Sequence, residues 1–125
     1  MKVYESAEDY LEAILSLGLR QGSVRSVDIA NELNYSKPSV SIAMKKLREN
    51  GYIEVDPDGR IHLLPAGEEI AQRIYERHRL LTDLFIGLGV DPEVAATDAC
   101  KVEHDLSEET FRKIKEHVLR DHTEG

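Results

Sequence analysis

Between Ser6 and Gly22 the apolar side chains Tyr10, Leu11, Ile14, Leu15 and Leu17 recur at the spacing of one helix face. This predicts a first helix with Ser6 as its cap and Gly18 and Gly22 bounding its end. A second, shorter helix is expected from Ser26 through Leu33, carried by Val27, Ile29, Ala30 and Leu33, with Asn34-Tyr35 as the turn. Ser36 then caps a third helix, and Pro38 falls in its first turn, where a missing N–H costs nothing. Val40, Ile42, Ala43, Met44 and Leu47 are expected on its buried side, and Asn50-Gly51 ends it. At this point the period shortens to alternation. Tyr52-Ile53-Glu54-Val55 and Arg60-Ile61-His62-Leu63 flank the turn-forming Asp56-Pro57-Asp58-Gly59 and predict a β-hairpin. Two short helices joined by a tight turn and followed by a hairpin predict a winged helix-turn-helix: residues 36–50 enter the major groove and the hairpin is the wing. The alternative is a three-helix packing domain with an unrelated hairpin.

The remainder reads as helix. Ala66 to Leu88 is amphipathic through Ile70, Ala71, Ile74, Tyr75, Leu80, Leu81, Leu84 and Phe85, and Gly87-Leu88-Gly89 stops it. Asp91-Pro92-Glu93 supplies an N-cap, an N1 proline and a first-turn acid for a helix to about Leu106. Ser107-Glu108-Glu109 opens a last helix through about Arg120. The stripe Ile74, Leu80, Leu81, Leu84 and Phe85 is too long for a 125-residue chain to cover alone, so a homodimer is expected. The fold class expected is mainly α, with a winged helix-turn-helix over residues 1–64 and a helical dimerisation domain over 65–125.

A net charge of −8 argues at first against a nucleic-acid partner. The distribution changes that picture: residues 1–62 hold 8 Lys and Arg against 10 Asp and Glu, whereas residues 63–125 hold 8 against 14. Ser36 to Arg48 carries Lys37, Lys45, Lys46 and Arg48 with no acid, on the one helix that should face a duplex. Double-stranded DNA is therefore the expected partner. No apolar run approaches the roughly 20 residues of a membrane span, and Met1-Lys2-Val3-Tyr4-Glu5-Ser6 has no signal-peptide core, so a cytoplasmic location without membrane attachment is expected. There is no Gly-rich phosphate loop and no oxyanion motif. A metallohydrolase using Glu103 as base is accordingly set aside, and neither an enzyme nor an organic cofactor is expected.

Cys100, Glu103 and His104 stand at i, i+3 and i+4, which puts thiolate, carboxylate and imidazole within about one helical turn. That is a transition-metal donor set. His78 lies on the preceding long helix, and Asp9 and Glu12 share a face of the first. Each also has an ordinary structural reading: Asp9 as the partner of a Ser6 capping box, Glu12 as a solvated charge, His78 as a surface polar residue. The single cysteine leaves a second route open, a winged-helix regulator that senses oxidation through Cys100.

Four stretches together resemble the iron- and manganese-dependent repressors typified by the diphtheria toxin repressor and the manganese transport regulator: Glu8-Asp9-Tyr10-Leu11-Glu12, Ser36-Lys37-Pro38-Ser39-Val40-Ser41, Arg77-His78-Arg79-Leu80-Leu81 and Asp98-Ala99-Cys100-Lys101-Val102-Glu103-His104. The resemblance implies a dimeric repressor of metal-homeostasis genes with Mn²⁺ or Fe²⁺ as corepressor. It implies a principal site of Asp9, Cys100, Glu103 and His104, with Glu12 and His78 available for a second ion. Asp9 and Glu12 follow the manganese branch, where the position of Cys100 is usually glutamate. Cys100 follows the iron branch, where the position of Asp9 is usually methionine. Thr82 and Ala96 stand where the iron branch has Glu and His, and the chain resembles the shorter members that lack an SH3-like domain. On this reading Ser36, Pro38 and Ser39 lie near bases and Lys37, Lys45, Lys46 and Arg60 near phosphates, while Ile42 stands where some relatives read a base with glutamine.

Overall fold

The computed structural model describes residues 5–124, with side chains for 6–120. Its elements are six helices and one hairpin, α1 (Glu5–Gln21), α2 (Ser26–Leu33), α3 (Lys37–Glu49), β1 (Ile53–Val55), β2 (Ile61–Leu63), α4 (Pro65–Gly87), α5 (Pro92–Val102) and α6 (Glu108–Glu124). The order is the one expected from the hydrophobic pattern. One expected cap differs: Ser6 sits inside the first turn of α1 and does not cap it. α2 spans Ser26–Leu33 as expected, and its cap is Arg25, whose N–H donates to Asp28 Oδ2 at 2.9 Å.

The chain forms two compact units, Met1–Tyr75 and Glu76–Gly125, and the boundary falls within α4. The core of the first unit joins every element that precedes the boundary. Leu11, Ile14 and Leu17 of α1, Ile29 and Ala30 of α2, and Val40, Met44 and Leu47 of α3 pack with Ile53, Ile61 and Ala71. The turn between α2 and α3 requires a left-handed residue, and Asn34 takes it with φ 57°. Beyond it the Ser36 hydroxyl accepts from the Ser39 N–H at 3.3 Å and so opens α3 as expected.

The hairpin is antiparallel, with Ile53 opposite Leu63, Glu54 opposite His62 and Val55 opposite Ile61. Its turn is held by Asp56, whose Oδ1 accepts from the N–H groups of Asp58 and Arg60, each at 2.9 Å. His62 Nε2 lies 3.0 Å from Oδ2. These bonds to the ionised form, the His62 one foremost, hold the Asp56 carboxyl below the usual carboxylate range. The Ile61 N–H reaches back to the Val24 carbonyl at 2.7 Å, fastening the hairpin to the segment that precedes α2. Gly67 explains how α4 can start so close behind: a Cβ there would stand 2.1 Å from the Tyr52 carbonyl oxygen.

In the second unit the buried apolar side chains are Leu81, Ala95, Ala99, Phe111 and Val118. The expected dimer stripe is only partly free. Ile74 and Leu81, seven positions apart on one face of α4, are buried within the chain itself, and Leu80, Leu84 and Phe85 are half-buried. The exposed apolar side chains of this unit include Ile86, Leu88 and Val94. Among the described residues no helix is long and apolar enough to cross a membrane.

Candidate nucleic-acid interface and metal centre

α3 is an amphipathic helix whose two sides do different work. Val40, Met44 and Leu47, at i, i+4 and i+7, are buried. Turning about 100° per residue from that face puts Pro38, Ile42, Lys45 and Lys46 on the opposite side. All four are exposed, as are Ser36, Lys37, Ser39 and Arg48. Ile42 therefore contradicts the expectation that it lines the core: at 59% exposure it is among the most accessible large apolar side chains. Ile42 and Val40 are two positions apart, on either side of Ser41, and about 100° of rotation per residue sends them to opposite sides of the helix.

The wing presents Arg60 on its surface. Arg25, at the cap of α2, donates through Nε to the Asp58 carbonyl at the hairpin tip, at 3.3 Å. Sequence reasoning assigned Arg25 no part. It steadies the wing relative to the helix pair.

Of the metal-donor candidates, Asp9 and Glu12 are half-buried on α1 in the first unit. The second unit brings His78 and Glu103 together across 25 residues of sequence, His78 Nδ1 lying 2.8 Å from Glu103 Oε2. His104, whose side chain is only 2% exposed, brings its Nε2 to 3.6 Å from the other oxygen, Oε1. Cys100 stands one turn earlier on α5 and is exposed. Glu103 has no solvent exposure, and among the described residues its Oε1 receives no hydrogen bond. An ionised carboxylate in that situation is costly unless a cation meets it. A carboxylate, two imidazoles and a nearby thiol match the donor preferences of divalent first-row metals, so these residues fit such an ion.

α5 ends sooner than the expected Leu106. Its last residue is Val102 and Glu103 is the C-cap. The turn that follows is held by Arg77. Only 4% exposed, it donates through Nη1 to the Glu103 carbonyl at 3.0 Å and to the Leu106 carbonyl at 2.8 Å. Its Nη2 meets Glu108 Oε1 at 3.2 Å, and its guanidinium lies 5.1 Å over the Phe111 ring. The turn between α5 and α6 is thus wrapped round one cation that satisfies the carbonyl of the α5 C-cap and a second carbonyl within the turn. The available signal was the position of Arg77, three after Ile74 and four before Leu81, where an apolar residue would continue the buried stripe.

A winged helix-turn-helix with its cations turned outward, joined to a helical unit built round a buried carboxylate, defines a DNA-binding transcriptional regulator. The chain belongs to the iron dependent repressor family: the N-terminal DNA binding domain of that family matches residues 2–61, and its metal binding and dimerisation domain matches residues 64–123. The chain is 40% identical over 107 residues to the transcriptional regulator MntR of Salmonella typhimurium, an alignment covering 86% of this chain and 68% of that protein. Among solved structures, IdeR of T. acidophilum superposes with a TM-score of 0.78 at 30% identity, covering 94% of this chain and 55% of that one. A manganese-dependent transcriptional repressor in complex with manganese gives a TM-score of 0.82 at 26% identity, covering 90% and 52%. The chain spans about half the length of these solved structures.

Proposed function

We propose that this protein is a metal-activated transcriptional repressor that binds operator DNA as a homodimer, in the cytoplasm, and takes Mn²⁺ or Fe²⁺ as corepressor. The reading divides the chain at residues 64 and 65 into a DNA-binding and a metal-binding, dimerising part. The observation that carries it is the Glu103 carboxylate, fully buried, bonded to His78 on one oxygen and receiving no hydrogen bond on the other among the described residues.

The residues that would hold the ion are Asp9, Glu12, His78, Cys100, Glu103 and His104, assigned through the family resemblance. When bound, the ion supplies positive charge and a fixed coordination geometry, not a reaction. The chain's own residues do the rest. Arg77 fixes the backbone that carries Glu103, so the carboxylate is held in place before any ligand arrives. α3 offers Ser36, Pro38 and Ser39 to bases and Lys37, Lys45 and Lys46 to phosphates, with Arg60 reaching phosphate from the wing. A ligand set drawn from separate helices favours one arrangement of the recognition helices, and DNA half-sites a helical turn apart, about 34 Å, select that arrangement. The corepressor then acts in proportion to its differential affinity for the DNA-competent state.

Calorimetric metal titration tests the ligand set. Glu103→Gln keeps the shape and removes the charge, and is expected to abolish high-affinity Mn²⁺ binding. Unaltered binding would place the ion elsewhere. Cys100→Glu, assayed anaerobically, exchanges a soft donor for a hard one and is expected to shift the ratio of half-activating Mn²⁺ and Fe²⁺ concentrations toward Mn²⁺. An unchanged ratio would mean that the Cys100 thiol does not touch the ion.

A further inference from the structure

On the outward face of α3 the side chains free to enter a groove are Pro38, Ser39, Ile42, Lys45 and Lys46. What this face lacks is informative. Specific reading of guanine takes a bidentate Arg or Lys, and reading of adenine takes a bidentate Asn or Gln. The first two turns of α3 carry no Arg, Asn or Gln; their one lysine, Lys37, lies roughly 60° from Val40 and so off the outward face, and Lys45 and Lys46, further along, are assigned to phosphates. Arg48 lies round toward the buried side, roughly 80° from Val40 by helical rotation. The one nearby amide, Asn50, is spent on the helix end, donating to the Lys46 carbonyl at 2.7 Å. At the centre of the outward face stands Ile42, diametrically opposite Val40 and 59% exposed.

A single exposed apolar residue is unremarkable on most surfaces. Here it occupies the middle of the helix face that meets base edges, between hydroxyls and a proline on its N-terminal side and two lysines on its C-terminal side. A branched aliphatic side chain has no donor or acceptor to offer. The feature of a base pair in the major groove that it can recognise is the 5-methyl group of thymine. Burial of Ile42 against that methyl group removes both from water, and the transfer term for one such group is about 0.8 kcal/mol, or about fourfold in affinity. Any other base at that position leaves the isoleucine against a polar edge.

We infer that Ile42 is a specificity-determining residue that selects a thymine, through its 5-methyl group, near the centre of each operator half-site. The inference rests on the proposed DNA-binding function and deepens it.

The test begins with selection of duplexes from a random-sequence pool by the full chain in Mn²⁺. The selected consensus is then remade with single thymines replaced by uracil, which removes only the methyl group. Wild type is expected to lose about fourfold in affinity at one thymine per half-site, and Ile42→Ala to bind the thymine and uracil duplexes equally while keeping its dependence on salt. Ile42→Gln is expected to exchange thymine for adenine at that position in a fresh selection. If the consensus contains no required thymine, or if Ile42→Ala retains the full thymine preference, the assignment of Ile42 is overturned while the DNA-binding reading stands. A pool from which no sequence is selected overturns both.

Discussion

Arg77 Nη1 donates to the main-chain carbonyl of Glu103 at 3.0 Å, so the residue that carries the buried carboxylate is held through its backbone by a buried cation. The same guanidinium takes the Leu106 carbonyl and the Glu108 carboxylate. The side chain and the main chain of Glu103 are therefore fastened separately, one by His78 and the other by Arg77.

Arg77→Met should keep most of the buried volume but strand two carbonyl groups. Leaving a buried acceptor unsatisfied costs about 1–3 kcal/mol, and thermal unfolding of the metal-free protein is expected to show a loss in that range or above it. Mn²⁺ affinity should fall as well, because the backbone of Glu103 is no longer fixed. Arg77→Lys is expected to recover only part of either loss, since an ammonium cannot fork between two carbonyls as a guanidinium does. Full recovery by lysine would show that charge alone is what this position supplies.

Gly67 makes a sharper stability prediction. With a Cβ only 2.1 Å from the Tyr52 carbonyl oxygen, Gly67→Ala cannot be accommodated without moving backbone at the base of the wing. Urea unfolding followed by circular dichroism is expected to register at least the roughly 1–3 kcal/mol typical of overpacking. Gly87 lies in the same helix with nothing within 4 Å of its would-be Cβ, so Gly87→Ala should be neutral or slightly stabilising. Equal effects at the two positions would mean that the approach of α4 to Tyr52 is not tight in solution.

Lys45 and Lys46 are assigned to phosphates. Each alanine substitution should weaken binding to all duplexes alike and reduce the slope of log affinity against log salt by about 0.9. A loss confined to one sequence, with the slope unchanged, would assign that lysine to a base.

The sequence pattern predicted all six helices and the hairpin because each is bounded by local chemistry: Ser36 with Pro38, Asp91 with Pro92, and the Asp56 to Gly59 turn. It failed where tertiary structure decides. Ile42 reads as core because it sits in an apolar run, and only the position of α3 against α1 and α2 shows which apolar residues of that run are covered. α5 ends short of the expected Leu106, and the side chain that holds the turn there is Arg77, 26 residues earlier in sequence, which no local pattern around residues 103–106 reveals. Glu103 and His104 were legible as donors from their spacing with Cys100. That Glu103 is wholly buried and meets His78 was not, because both facts depend on the meeting of α4 with the end of α5.

The central claim is that a divalent ion controls DNA affinity, and it is tested most directly by fluorescence anisotropy of a selected operator duplex titrated with the full chain, first in Mn²⁺ and then in excess chelator at the same ionic strength. The account predicts that affinity drops on chelation by a factor within about 5–150, the usual range for coupling between two sites. It also predicts that Glu103→Gln binds in both conditions as wild type does in chelator. An operator complex equally tight with and without the metal would contradict it.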